Sequence, residues 1–417
     1  MNTPRVLMSA YQCGPGIGSV SQIGWEWYSR LARKLPVTLV THIRNRPALE
    51  QAAAPLDGSN IVYVDTEWFA GPLYRLASRL FPQSEHPVFL ISSLDYYLYD
   101  WVALRTLRRL RKDGAEWDII HQPTPVSPLA ATRLYQLQLP LILGPWNGGL
   151  RSPSEYPEIM RSESGWLYPI RQLGKLVDRL FGSSRHAKLI LTATAATKAE
   201  MSAELAAKCV DMLENGVDLE LFAPSPWPAP PTRENPLEIL FVGRLLPFKG
   251  VAMLVEAVSK LDFPYHLTIV GAGSEEAALR HQAEALHLTG KISFTGALPL
   301  AEVAKRMSLA HVFCLPSVRE SGGAVALEAM AAARPVIALA YGGPAEIVDD
   351  AVGRLIPSTG REPVVAAIAK TLADVVANPS DWRQKGLTGR QRVEEHYAWP
   401  VKIDRAIALY RQCLEQA

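Results

Sequence analysis

Residues 311–348 read HVFCLPSVRESGGAVALEAMAAARPVIALAYGGPAEIV. An apolar run, Val312–Leu315, ends at a proline, and a polar loop then leads into a helix rich in Ala, Leu and Met that is predicted to reach Arg334. Pro335 stops that helix, and Val336–Leu339 is the next apolar run. Buried strands that are joined by a helical crossover lie parallel, so this stretch predicts an α/β fold with a parallel sheet.

The polar loop of this stretch has the composition of a ligand site. Glu320 is followed by two glycines, Gly322 and Gly323, just where the helix is predicted to begin at Ala324. Glycine lets a backbone approach a ligand closely, and free amides at a helix start attract an anion such as phosphate. Glu328 stands eight residues after Glu320, so two carboxylates could hold the hydroxyls at both ends of an extended polyol. An ordinary turn with two surface glutamates is the alternative interpretation of the pair.

A second polar loop carries cations. Residues 243–250 read GRLLPFKG and follow an apolar run at Leu237–Val242. Arg244 can donate two parallel hydrogen bonds to a diphosphate, and Lys249 can act as a mobile point charge. Gly243 would let the backbone approach the same ligand. Two solvated surface cations are the alternative.

The first half of the chain opens with a strand, Arg5–Ala10, and a glycine-rich turn at residues 13–19, CGPGIGS. Gly16 and Gly18 suit close backbone approach to a ligand. The G-x-G-x-x-G fingerprint of dinucleotide-binding proteins fails, because serine stands at the third glycine position in either register. The main evidence for interpreting the chain as a dehydrogenase is therefore missing.

Two further strands of this half end in polar groups. Trp117–Ile120 is predicted to lead His121 into a proline-stiffened loop, and a later strand leads to Asn147 and Gly148. Ligands of open α/β sheets bind at the carboxyl edge of the strands, and an Asn side chain offers both donor and acceptor to a sugar hydroxyl. A structural histidine and a tight turn are the alternatives.

These motifs together resemble glycosyltransferase family 4, whose members are retaining enzymes of the GT-B fold. The Glu320 and Glu328 pair resembles the glutamate signature of that family. The loop from Gly243 resembles its Gly-Arg-x-x-x-x-Lys-Gly motif, with Arg244 and Lys249 at the cationic positions. The resemblance implies two Rossmann-like doubly wound domains that face a central cleft.

The resemblance also implies roles for single residues. Glu320 would contact the donor sugar, Glu328 the ribose hydroxyls, and His121 the sugar near the reacting carbon. Further residues are predicted to contact the donor through their backbone groups, namely Gly16, Gly18, Gly243, Gly322, Gly323 and Ala324. Asn147 and Gly148 are predicted to contact the acceptor. Arg244 and Lys249 would stabilise the diphosphate leaving group.

The chain is predicted to divide into two domains, residues 1–222 and 237–399. The resemblance implies that the first lies on the acceptor side and that the second binds the nucleotide sugar. Six prolines crowd the segment between them, so 223–236 is predicted to be a semi-rigid linker. The resemblance implies that the last helix, 400–417, packs back on the first domain.

Composition restricts the partners. The 417 residues carry a net charge of only +2, which argues against a nucleic-acid binder. The four cysteines show no metal-ligand spacing, so we expect free thiols and a cytoplasmic protein. The basic run from Arg105 to Lys112 is interpreted as a solvated helix face, with anionic lipid as the alternative. Any membrane contact would then be peripheral, at the inner face. A second hypothesis places a lipid or the acceptor against the aromatic and basic segment 151–186.

The expected function is transfer of a hexose from a nucleotide-diphosphate sugar to a saccharide or lipid-linked hydroxyl acceptor, in polysaccharide or glycolipid biosynthesis. No Asp-x-Asp occurs in the sequence, so we expect neither a metal nor another cofactor. A GT-B sugar phosphorylase, a nucleotide-sugar epimerase and a non-catalytic subunit that binds sugar nucleotides are the alternatives.

Overall fold

The computed structural model describes residues 3–52, 60–80, 94–128, 130–148, 155–157, 159 and 177–416. The described residues fall into two compact units. Unit 1 lies within Met1–Gly149, Glu163–Glu214 and Ile403–Ala417, and unit 2 within Leu150–Ser162 and Asn215–Lys402.

Unit 1 is built on parallel strands, and the central strands are buried along their whole length, as expected for a sheet covered on both faces. They are β1 Val6–Ala10, β2 Val37–His42, β3 Asn60–Val64, β4 Ile119–Thr124, β5 Leu141–Trp146, β6 Leu189–Thr192 and β7 Cys209–Asp211. The sheet has seven strands in the order β3-β2-β1-β4-β5-β6-β7. Its helices are α1 Ser19–Leu31, α2 Arg46–Ala52, α3 Glu67–Leu80, α4 Asp95–Lys112, α5 Ser183–His186, α6 Ala195–Ala199 and α7 Ala203–Ala206, with 3-10 turns at Ile43–Asn45 and Leu134–Leu137.

Unit 2 has the same kind of architecture. Its strands are β8 Leu237–Val242, β9 Tyr265–Val270, β10 Ile292–Gly296, β11 Val312–Leu315, β12 Val336–Leu339 and β13 Gly353–Ile356. They form a six-stranded parallel sheet in the order β10-β9-β8-β11-β12-β13. Its helices are α8 Val251–Val258, α9 Glu276–Ala285, α10 Leu300–Leu309, α11 Ala324–Ala331, α12 Gly343–Ile347, α13 Arg361–Ala377 and α14 Pro379–His396, with a 3-10 turn at Pro247–Lys249. The last helix, α15 Trp399–Glu415, continues from Ile403 within unit 1.

Both strand orders reverse direction beside the first strand of the unit. The reversal lies between β1 and β4 in unit 1 and between β8 and β11 in unit 2. In open parallel sheets, ligands bind outside the carboxyl ends of the strands at such a switch point. The loop at residues 243–250 follows β8, and the loop that contains Glu320 follows β11. These two strands flank the switch point of unit 2.

Two local predictions need correction. The helix expected to reach Arg334 ends at Ala331, because Ala333 takes a left-handed φ of 57° and the Arg334 amide bonds back to the carbonyl of Ala329 at 2.8 Å. His121 does not lie in a loop, since β4 continues to Thr124.

The proline-rich segment 223–236 contains no helix or strand and belongs to unit 2. The Trp227 indole donates a hydrogen bond to the carbonyl of His311 at 3.0 Å, and buried Arg334 donates to the carbonyl of Pro226 at 3.1 Å. These contacts hold the segment against its own unit. Across the described residues, no helix has the length and the apolar character needed to cross a bilayer.

Candidate functional site

The loops that follow β8 and β11 lie in direct backbone contact. The Val318 amide donates to the carbonyl of Phe248 at 2.9 Å. A Cβ at Gly250 would lie 2.1 Å from the carbonyl oxygen of Pro316, so only glycine allows this approach. The two motifs that the sequence places about 70 positions apart therefore form one surface at the switch point of unit 2.

Lys249 and Glu320 meet on this surface. The Lys249 ammonium forms an ion pair with a carboxylate oxygen of Glu320, and both side chains are largely buried. The ring centroid of Phe248 lies 5.8 Å from Lys249 Nζ and 4.7 Å from the guanidinium carbon of Arg319. An ammonium group has three N–H donors, so Lys249 can hold Glu320 and still donate to a ligand.

Arg244 precedes Lys249 on the same loop, and its exposed side chain makes no hydrogen bond or ion pair with any described residue. Its loop is held by backbone packing. The Leu245 amide donates to the carbonyl of Ala272 at 2.9 Å, and a Cβ at Gly271 would lie 1.9 Å from the carbonyl oxygen of Gly243. The guanidinium is thus carried on a fixed loop and is available to an anion.

The start of α11 supplies backbone donors. Gly323 caps the helix with a left-handed φ of 58° and no side-chain cap, so the amides of Gly322, Gly323 and Ala324 lack partners among the described residues. The turn before α11 is also held by a hydrogen bond from the Gly343 amide to the carbonyl of Glu320, at 3.0 Å. A Cβ at Gly343 would lie 2.3 Å from the carbonyl oxygen of Ser321.

Glu328 lies half-buried in the second turn of α11. Burial raises the pKa of its carboxyl to about 8, and no hydrogen bond or ion pair with the described residues compensates for it. Burying a polar group without a hydrogen-bond partner destabilises the folded state. An approaching hydroxyl could supply the missing hydrogen bond.

His121 lies elsewhere, inside unit 1, and its side chain has no exposed surface. Its Nε2 lies 2.7 Å from the carbonyl oxygen of Gly144 and its Nδ1 lies 2.6 Å from the hydroxyl of Tyr410. A neutral ring satisfies both contacts, with Nε2–H donating and Nδ1 accepting, and burial lowers the pKa of His121 to about 4. Sequence reasoning missed Tyr410, since no local pattern connects it to His121.

The predicted acceptor-side groups follow β5. The Asn147 side-chain amide donates to the Glu214 carboxylate, and the Gly148 amide donates to the hydroxyl of Thr197 at 3.2 Å. Both groups already have protein partners. Their contact with a ligand stays a prediction.

The predicted glycine turn follows β1 at the switch point of unit 1. Gly16 and Gly18 are exposed and take left-handed φ values of 73° and 125°, with open space around the position of a Cβ. The carbonyl of Gln12, at the start of this loop, accepts a hydrogen bond from the Thr124 hydroxyl at 2.8 Å. Glycine is favoured at these two positions by their positive φ values, and not by crowding around the Cβ position.

Comparison with known proteins relates unit 2 to a defined family. Residues 228–387 match the family described as glycosyl transferases group 1. The alpha-maltose-1-phosphate synthase of Mycolicibacterium smegmatis is 31% identical over 221 residues, which are 49% of this chain and 57% of that protein. The 2-deoxystreptamine glucosyltransferase of Streptomyces kanamyceticus is 31% identical over 246 residues, which are 55% of this chain and 62% of that protein. The matched regions thus span less than two thirds of the length of either relative.

A likeness over nearly the whole chain exists among solved structures. HepE of Anabaena, solved in complex with UDP, matches with a TM-score of 0.64 and covers 98% of this chain and 99% of its own. At 16% identity this likeness shows the fold alone. It confirms the predicted fold class, two Rossmann-like domains of the GT-B type.

Proposed function

We propose that the chain is a retaining glycosyltransferase of family 4 that moves a hexose from a nucleotide-diphosphate sugar to a hydroxyl acceptor, saccharide or lipid-linked. The observation that carries the proposal is the cluster at the switch point of unit 2. There the Lys249–Glu320 pair, the free guanidinium of Arg244 and the open amides of α11 share one edge of the sheet. The match of this unit to glycosyl transferases group 1 supports it.

The diphosphate would bind where positive charge collects. Arg244 can donate two parallel hydrogen bonds to phosphate oxygens, and the amides of Gly322, Gly323 and Ala324 meet the same anion at the positive end of the α11 dipole. Lys249 adds a third source of donors. A fixed donor that faces the charge of a leaving group lowers the barrier by about 3 to 4 kcal/mol.

The carboxylates would hold the two sugars. Glu320 is fixed by Lys249 and by the turn at Gly343, so it can accept hydrogen bonds from hydroxyls of the transferred hexose. Glu328 lacks a partner among the described residues and would accept the ribose hydroxyls. The ribose therefore supplies the hydrogen bonds that this half-buried carboxyl lacks.

In the proposed reaction the bond between the anomeric carbon and the diphosphate oxygen breaks, and the acceptor oxygen bonds to the same face of that carbon. The acceptor proton passes to the departing diphosphate. The cations and amides stabilise the negative charge of the leaving group, so we propose that neither a metal nor another cofactor is needed.

His121 enters the proposal as a positioning residue. A sugar contact would require the buried ring to give up Tyr410 or Gly144 for the ligand. The ring instead holds the carbonyl of Gly144 and thereby the end of β5, from which Asn147 and Gly148 follow toward the proposed acceptor side.

The first test is nucleotide binding, measured as a shift of the thermal unfolding midpoint with UDP, GDP, ADP and their sugar conjugates in EDTA. A ligand at a hundred times its dissociation constant stabilises the folded state by about 2.7 kcal/mol, or roughly 5–10 °C for a unit of this size. UDP-sugars are tried first because HepE was solved with UDP. If no nucleotide shifts the midpoint, the donor site is refuted.

Matched variants then locate the site. We expect Arg244→Gln to abolish most of the shift, whereas Arg383→Gln removes another exposed arginine, from α14, and leaves the shift intact. Release of the nucleoside diphosphate from its sugar conjugate should fall about a hundredfold in Arg244→Gln, since one donor to the leaving group is lost. Equal behaviour of the two variants would contradict the assignment.

A further inference from the structure

Helix α3 exposes the large side chains that an ordinary surface helix would bury. The buried residues of this helix, which pack against unit 1, are both small: Ala70 and Ala77. The large apolar and aromatic residues point into solvent, and they are Trp68, Phe69, Tyr74, Leu76 and Leu80. Trp68 is 69% exposed and Leu80 is 61% exposed. The helix therefore has an apolar surface that the described residues of unit 1 leave uncovered.

The spacing places four of these five residues in two neighbouring stripes, and Tyr74 lies apart from both. At 100° per residue, Phe69, Leu76 and Leu80 fall within about 40° of one another around the helix. Trp68 falls within about 40° of the two arginines of the helix, Arg75 and Arg79, on the adjoining side. The exposed surface thus combines an apolar stripe with a stripe of one tryptophan and two cations.

The charge of this surface is positive. Arg75 and Arg79 are exposed and have no hydrogen-bond or ion-pair partner among the described residues. The one acidic residue of the helix, Glu67, is engaged by the Arg44 guanidinium at 2.9 Å. Helix α4, which contacts α3, has its own exposed tryptophan, Trp101, with the Arg105 guanidinium 4.6 Å from its ring centroid.

We infer that the outer surface of α3, formed by Trp68, Phe69, Arg75, Leu76, Arg79 and Leu80, docks on a lipid bilayer with anionic headgroups. Charge complementarity selects this partner, because lipid phosphates would receive both arginines while the apolar stripe enters the boundary with the acyl chains. Tryptophan is favoured at that boundary. The helix lies in the plane of the surface and does not cross it. This inference needs no nucleotide and stands independently of the proposed function.

The test is flotation of the purified full-length chain with vesicles of phosphatidylcholine alone or with 30% phosphatidylglycerol. We expect the chain to float with the anionic vesicles, weakly with the neutral ones, and less as salt is raised. Arg75→Gln/Arg79→Gln should lower the partition coefficient about 25-fold, since each cation near an anionic surface contributes about 1 kcal/mol, a factor of about five.

A matched pair of leucines separates the surface of α3 from general hydrophobicity. Leu80→Ser should reduce flotation, and Trp68→Ser more strongly. Leu309→Ser should not, although Leu309 on α10 of unit 2 is also 61% exposed. All these side chains are exposed, so the thermal unfolding midpoints should stay close to that of the wild type.

Three outcomes would overturn the inference. The wild type could stay at the bottom of the gradient with anionic vesicles. The variants of α3 could float as the wild type does. Light scattering could show a dimer that Trp68→Ser dissociates, in which case a second copy of the chain covers the surface.

Discussion

Replacing Glu328 with glutamine should stabilise the protein at high pH and leave it nearly unchanged at low pH. Burial raises the pKa of Glu328 from 4.5 to about 8 in the folded chain. Between these values the folded state keeps a proton that the unfolded state has released. Stability therefore falls as pH rises through this window, and glutamine removes the dependence.

The size of the effect follows from the same two values. One pH unit of difference corresponds to about 1.4 kcal/mol, so the window from 4.5 to about 8 sets an upper bound of about 5 kcal/mol. Glu328 is only half-buried, and water reduces this bound to about 2 kcal/mol. We expect Glu328→Gln to raise the unfolding midpoint of unit 2 by about 4–8 °C at pH 9 and by less than 1 °C at pH 5.

Differential scanning calorimetry at pH 5, 7 and 9 measures this difference. Glu284→Gln is the control, since Glu284 is an exposed glutamate of α9 whose side chain has no partner among the described residues. A shift of Glu328→Gln that is equal at all three pH values would refute the reasoning, because it would show that packing and not ionisation is responsible.

The same carboxyl connects stability to binding. If the ribose hydroxyls bind the carboxylate, nucleotide binding must remove the proton from Glu328, and the affinity for the nucleotide should rise between pH 6 and 8. Isothermal titration calorimetry in buffers of different ionisation enthalpy would detect the released proton. Glu328→Gln should release none.

Three further perturbations test the framework of the two units. Tyr410→Phe leaves Nδ1 of the buried His121 without its donor and should lower the free energy of unfolding by about 1–3 kcal/mol in a urea titration. Gly343→Ala places a Cβ 2.3 Å from a backbone oxygen and should reduce the nucleotide-induced thermal shift, whereas Gly71→Ala, whose Cβ would have only an ordinary contact at 3.7 Å, should not. Arg334→Met removes the donor to the carbonyls of Met307 at 2.9 Å and Ser308 at 2.7 Å, and limited proteolysis should then cut the segment 223–236 faster.

The sequence alone determined the class of the fold. Strands buried on both faces appear as short apolar runs, and the predicted runs Val312–Leu315 and Val336–Leu339 are β11 and β12 with the same bounds. Glycine and proline mark the ends of such runs, because backbone geometry is a local property. The positions of both polar loops could therefore be predicted from neighbouring residues.

Only the tertiary structure decided which of these residues meet. Lys249 and Glu320 form an ion pair because β8 and β11 are neighbours in the sheet, and no local pattern contains that order. The second hydrogen bond of buried His121 comes from Tyr410, which is far away along the chain. The outward orientation of Trp68 depends on which stripe of α3 fits against unit 1. Periodicity specifies local elements, whereas burial and pairing depend on packing between segments that are distant along the chain.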